Sequence, residues 1–157
     1  MSVWQRPIMG MMSVSIREAT SEDLPAVLAL YSQLEIGEGE ALPLPEAEAL
    51  FQRMRSYPNY RLYVAAVGEE VVGTFALLIM DNLAHKGAPS GVVEDVVVEA
   101  GWQRKGLGRE MMRFAMARCQ EAGCYKLVLS SNRQREAAHR FYASLGFRQH
   151  GYSFLVE

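Results

Sequence analysis

The stretch Val92–Met112, VVEDVVVEAGWQRKGLGREMM, places a strand and a helix on either side of a basic turn that carries glycine. Five valines between 92 and 98 are too β-branched for a comfortable helix and suit a pleated, half-buried surface. From Leu107 the apolar residues Leu107, Met111, Ala115, Cys119 and Ala122 recur every three or four positions, so a helix runs to Gly123, a natural C-terminal stop. Between the two lies Gln103-Arg104-Lys105-Gly106-Leu107-Gly108. A helix start leaves backbone N–H groups unpaired, glycines let those donors come close to a ligand, and Arg104 and Lys105 add full positive charge. The turn is therefore suited to an anion.

Three phosphate-binding designs use this physics. A P-loop needs lysine and a hydroxyl residue at its end, but Arg109-Glu110 follows Gly108. A dinucleotide fingerprint needs a third small residue where Met111 stands, and belongs to the first βα unit rather than two-thirds along the chain. The remaining design, a pyrophosphate loop of the form Gln/Arg-x-x-Gly-x-Gly/Ala, is met at every required position. By itself the hexapeptide also fits a plain turn before a helix.

Outward from this centre the chain alternates strands and helices. Val14-Ser15-Ile16-Arg17 alternates as a strand, and Thr20 and Ser21 followed by Glu22 and Asp23 open an amphipathic helix with Leu24, Val27, Leu28 and Tyr31 on one face. EIGEGEALPLP (35–45) is an irregular connection, and Ala47, Leu50, Phe51 and Met54 support a second helix that stops at Tyr57-Pro58. YRLYVAAVGEEVVGTFALLIM (60–80) reads as a hairpin about Gly68, and DNLAHKGAPSG (81–91) as a second irregular segment. After the central helix, CYKLVLSS is a strand, RQREAAHRFYASLG a short helix, and FRQHGYSFLVE one or two closing strands. Such an order predicts a mixed sheet covered on both faces, in one domain over residues 14–157 behind a flexible tail, 1–13.

With 157 residues, half of them hydrophobic, and a formal net charge of −2, the chain has material for a core. No nucleic-acid coat is indicated, and no apolar run is long enough to enter a membrane. Cys119 and Cys124 lack C-x-x-C spacing and His85, His139 and His150 are scattered, so no metal is expected and the thiols are read as reduced in a cytoplasmic protein.

VVEDVVV with its turn and helix, YKLVLSS, and AAHRFYASLGF (137–147), in that order, resemble the acetyl-CoA-binding core of the GNAT superfamily of N-acetyltransferases. EDVVV, GCYKL and FYASLGF are particularly similar to glucosamine-6-phosphate N-acetyltransferases and related small bacterial members. The resemblance implies an α/β (α+β) GNAT fold, a mixed sheet of about six or seven strands flanked by four helices, with two central parallel strands splayed for coenzyme A. It implies acetyl-CoA as donor co-substrate, without a metal, with the pyrophosphate on Gln103, Arg104, Lys105, Gly106, Leu107, Gly108 and Arg109. Val96, Val97 and Val98 are then main-chain contacts of the pantetheine arm, and Asn132 a further cofactor contact. Tyr142 is the proton donor to the departing thiolate; without the family it is an aromatic packed on Phe141 and Leu145. Glu94 is the base for a primary amine of a small molecule or peptide that attacks directly in a ternary complex. Asp95, sent by strand alternation to the opposite face, or a water, is the alternative base. Arg61, His85 and Lys86 are too few to define a pocket for a phosphorylated sugar. A non-catalytic CoA-binding or sensing domain is the competing reading, and the apolar YSFLVE suits a homodimer.

Overall fold

A computed structural model of the chain describes residues 3–8, 12–33 and 41–157. Six strands form one sheet in chain order: β1 (Trp4–Ile8), β2 (Met12–Glu18), β3 (Tyr60–Val67), β4 (Glu70–Met80), β5 (Ser90–Val98) and β6 (Lys126–Leu129). Neighbours are antiparallel except β5 and β6, which are parallel. Four α-helices cover the sheet: α1 (Leu24–Tyr31), α2 (Leu44–Ser56), α3 (Leu107–Glu121) and α4 (Glu136–Ser144). Among the described residues no helix is long and apolar enough to cross a membrane.

Strand alternation divides the core between the two faces. On one face Val14, Ile16, Phe75, Leu77 and Val93 pack with Leu107, Met111, Phe114 and Cys119 of α3, and Phe141 and Tyr142 of α4, with Leu145 just after it, lie against them. On the other, Leu62, Val64 and Ala76 pack with Leu24 and Val27 of α1 and Phe51 of α2. The entry to α1 is held by a capping box between Thr20 and Asp23, and Asp23 also takes Arg17 in a two-pronged pair at 2.7 and 2.8 Å.

Two expectations fail at the chain ends. Residues read as part of a loose tail form β1, paired with Met12–Ile16, with Trp4 edge-on to Phe114 at 5.8 Å and Ile8 buried. Pro7 and Arg6 hid this strand in the sequence, and both are tolerated because β1 is the outermost strand. The closing strands are absent: residues 145–157 carry no strand, and Tyr152, Phe154, Leu155 and Val156 are exposed. An apolar run can pair, but it becomes a strand only beside a ladder partner. The parallel pair consequently lies at the end of the six-strand order rather than at its centre.

β5 is longer than the strand beside it. Ser90–Val93 pair with Lys126–Leu129, and Glu94–Val98 continue with no partner on that edge. The sheet therefore parts between β5 and the end of β6.

Candidate active site

The basic turn sits between β5 and α3 and is built from two left-handed residues, Arg104 at φ +61° and Gly106 at φ +86°. Gly106 is the N-cap of α3, and none of the backbone N–H groups from Arg104 to Arg109 has a backbone acceptor. Left-handed residues in such a turn fan successive N–H groups into a concavity that favours anions. The two glycines have different reasons to be there. Gly106 supplies the positive φ, while a Cβ on Gly108 would stand 3.2 Å from Phe141 Cζ, so Gly108 lets α4 close against α3. Lys105 lies over the Trp102 ring at 4.9 Å. The Gln103 side-chain amide donates to the Val98 carbonyl at 3.2 Å and ties the turn to the end of β5.

The unpaired half of β5 contains a bulge. Thr74 faces Val97 and Ala76 faces Glu94, so Phe75 alone opposes both Asp95 and Val96, with Asp95 left-handed at φ +51°. The bulge breaks the alternation on which the expectation of opposed carboxylates rested. Glu94 lies across from Ala76 and hence on the face of α1 and α2, and both Asp95 and Glu94 raise Tyr60. Both carboxylates are exposed, and no cation pairs with either among the described residues. Val97 is buried, while Val96 and Val98 lean on the α3 face.

Two tyrosines that sequence reasoning had not assigned to the site lie near these carboxylates. Burial pushes the Tyr31 hydroxyl well above its ordinary range, reinforced by Asp95. Thr74, fully buried, donates to the Tyr63 carbonyl at 2.8 Å. Tyr60 is raised by burial and then by Asp95 and Glu94. The available signal was a tyrosine in the apolar stripe of a helix, whose hydroxyl needs a polar partner inside the protein.

Tyr142 is on α4, half-buried against Phe141 and Phe147 at ring separations of 5.2 and 5.8 Å. Burial raises its hydroxyl above the usual value, opposed by Arg135, so it stays protonated through the neutral range. It packs with the α3 face, whereas Glu94 belongs to the α1/α2 face.

Other expected residues have local duties. The Asn132 side-chain oxygen accepts from the Gln134 N–H at 2.9 Å, and its carbonyl meets His139 Nε2 at 2.9 Å, so both residues stabilise the approach to α4. Arg61 faces α3, paired with Glu18 at 3.3 Å, and lines a concavity of about 300 Å³ with Tyr63 and Arg118. His85 stacks on Tyr125 at 3.9 Å, ahead of β5. These cations are not gathered beside Glu94. The greater part of the 35–45 connection, residues 35–40, lies outside the described residues. No group of three or more metal-ligating side chains occurs among the described residues.

Known proteins share this fold. A structure described as a putative acetyltransferase from Agrobacterium tumefaciens str. C58 superimposes with a TM-score of 0.86 at 35% identity, covering 91% of this chain and 99% of that one. The glucosamine 6-phosphate N-acetyltransferase of Trypanosoma brucei brucei is 29% identical over 140 residues, 87% of this chain and 90% of its own. The aminoalkylphosphonate N-acetyltransferase of Salmonella typhimurium is 29% identical over 139 residues, 88% of each. The model of the acetyltransferase (GNAT) family matches residues 24–147, from the first residue of α1 to just past α4, and takes in the turn, the bulge and the parted strands alike. By sequence as well as by fold, the chain is a member of the acetyltransferase (GNAT) family.

Proposed function

We propose that the protein transfers an acetyl group from acetyl-CoA to the primary amine of a small molecule or peptide, by direct attack while both substrates are bound. The observation that carries this reading is the run of unpaired N–H groups from Arg104 to Arg109 beside the open edge of β5. Those donors, the left-handed Gly106 and the guanidinium groups of Arg104 and Arg109 fit a diphosphate in charge and in hydrogen-bonding capacity. The free edge over Val96–Val98 offers backbone groups to an extended arm, as a sheet edge does to an added strand. Acetyl-CoA brings the activated acetyl group.

The chain's own residues then have three tasks: to free the amine of its proton, to steady negative charge on the thioester oxygen, and to protonate the thiolate. Glu94, exposed on the α1/α2 face and without a cation, takes the amine proton directly or through water. A main-chain N–H at the bulge meets the developing charge. Tyr142, held protonated by burial, gives its proton to the sulfur. Asn132 keeps its side-chain amide nitrogen for the cofactor. Exposed Phe154, Leu155 and Val156 give a second copy an apolar surface for a homodimer.

The test is release of free thiol from acetyl-CoA with a panel of amines that includes glucosamine 6-phosphate and an aminoalkylphosphonate, the compounds named for the two relatives. Turnover with at least one amine, cut about 10- to 100-fold in kcat by Tyr142→Phe with coenzyme A affinity kept, is the expected result. Tight binding of acetyl-CoA with no turnover on any amine would identify a sensing domain instead.

A further inference from the structure

Cys119 and Cys124 are five residues apart and match no thiol motif in the sequence, yet the end of α3 brings them together. The helix closes with Gly123 left-handed at φ +75°, the Gly123 N–H donating to the Gln120 carbonyl at 3.1 Å and the Cys124 N–H to the Cys119 carbonyl at 2.9 Å. Paired bonds of this kind define a helix stop in which the side chains at the first and last of the six positions are frequently in contact. Here both of those side chains are thiols, and Cys124 packs against the same core cluster that encloses Cys119. Cys119 is 4% exposed and leans on β5 at Gly91, where a Cβ would stand only 2.3 Å from its sulfur. Cys124 is half-exposed. One thiol is therefore buried and the other partly exposed.

We propose that Cys119 and Cys124 are a thiol–disulfide site that closes reversibly to an intrachain bridge on reaction with a disulfide oxidant of the glutathione class. The Cys124 thiolate attacks one sulfur of the oxidant and expels one glutathione thiolate. The Cys119 thiolate then attacks the Cys124 sulfur of the mixed disulfide and expels the second. The two thiol protons end on the two released glutathiones, and the two electrons reduce the oxidant. Burial, followed by the neighbouring Cys124, pushes the Cys119 thiol up to about 12, which agrees with Cys124 acting first. The bridge ties the last turn of α3, the helix that begins at the basic turn, to the residue before Tyr125 and β6, the strand that ends beside the parted edge of β5.

The experiment uses the full chain, reduced and then exposed to glutathione disulfide in mildly alkaline buffer, with intact mass and thiol counts as readouts. The expected product is a monomer lighter by two hydrogens, with no free thiol, restored by dithiothreitol. Cys119→Ala should retain one glutathione on Cys124, for want of the resolving thiol. Cys124→Ser changes a half-exposed residue, so it keeps the test open should Cys119→Ala fold poorly; it should gain nothing. Two persistent thiols, a stable glutathione adduct on the unaltered chain, or cross-linked copies would each overturn the proposal. None of these readouts depends on acetyl transfer.

Discussion

Replacing Gly106 by alanine and by glutamate separates the backbone's part in the basic turn from the charge it accepts. Gly106 holds φ +86° at the N-cap of α3, a conformation that costs an L-residue about 1–2 kcal/mol. A Cβ there would meet nothing nearer than Ile8 Cγ2 at 4.0 Å, so crowding adds nothing further. Alanine should lower Tm by about 3–6 °C through that conformational cost alone. Its N–H groups stay in place, and affinity for coenzyme A should hold within about twofold. Glutamate carries the same backbone cost together with a negative charge beside the proposed diphosphate. Unit charges about 4 Å apart interact by about 1 kcal/mol in water and about 4 kcal/mol near a protein surface. An exposed, flexible carboxylate belongs near the lower figure; against two phosphate charges the penalty is about 2 kcal/mol, roughly 30-fold in Kd. Calorimetric titration of coenzyme A into the three folded proteins reads this directly, and the glutamate deficit should shrink when ionic strength is raised toward 1 M, where the screening length is about 3 Å. Should Gly106→Glu bind coenzyme A as tightly as Gly106→Ala, the diphosphate does not rest on this turn. The roles of Val96–Val98 and Tyr142 would then lose their anchor.

Glu94→Gln should lower kcat/KM for the amine about 100-fold, and Asp95→Asn by less than about threefold, with the Glu94→Gln deficit narrowing as pH rises and more amine is free; the reverse ranking in steady-state assays would make Asp95 the base. Gly91→Ala should cost about 2–3 kcal/mol in urea melts, because its Cβ would stand 2.3 Å from Cys119 Sγ and 3.0 Å from Leu127 Cδ1. Adding Cys119→Ala should return about 1 kcal/mol or more, and strict additivity of the two changes would rule out that clash. Alkaline pH should destabilise the fold, since Tyr31, Tyr63, Tyr142 and Cys119 are all raised, each by burial first. Groups whose native values exceed their unfolded ones hold more protons in the native state, so their contribution is complete below the unfolded values and is lost as pH climbs through the native ones. Urea midpoints should therefore be level up to about pH 8 and fall beyond about pH 10; a level profile to about pH 11 would contradict the burial of these groups.

Much of the site was legible because it is local. A left-handed N-cap, a helix that starts one residue later, and the basic residues beside it lie within a few positions of one another, so their chemistry could be read from Gln103–Gly108 directly. The β-branched run of β5 and the apolar stripe of α3 were equally plain, since each obeys a period set by backbone geometry. Trp4–Ile8 was not plain: a strand with proline and arginine at its centre is acceptable only at an edge, and which strand is the edge is a property of the whole sheet. The last residues showed the opposite error, apolar enough to pair but with no partner strand beside them.

The sequence by itself determined where the basic turn lies, the order of strands and helices from β2 to α4 and the family to which they point, because near neighbours along the chain dictate backbone conformation and hydrophobic period. Only the tertiary structure decided that a bulge at Asp95 interrupts β5, that Tyr31 and Tyr60 feel the carboxylates there, and that Cys119 packs over Gly91 with Cys124 at the same helix end. The reason is that a bulge exists only relative to the strand opposite, and burial only relative to residues brought in from far along the chain.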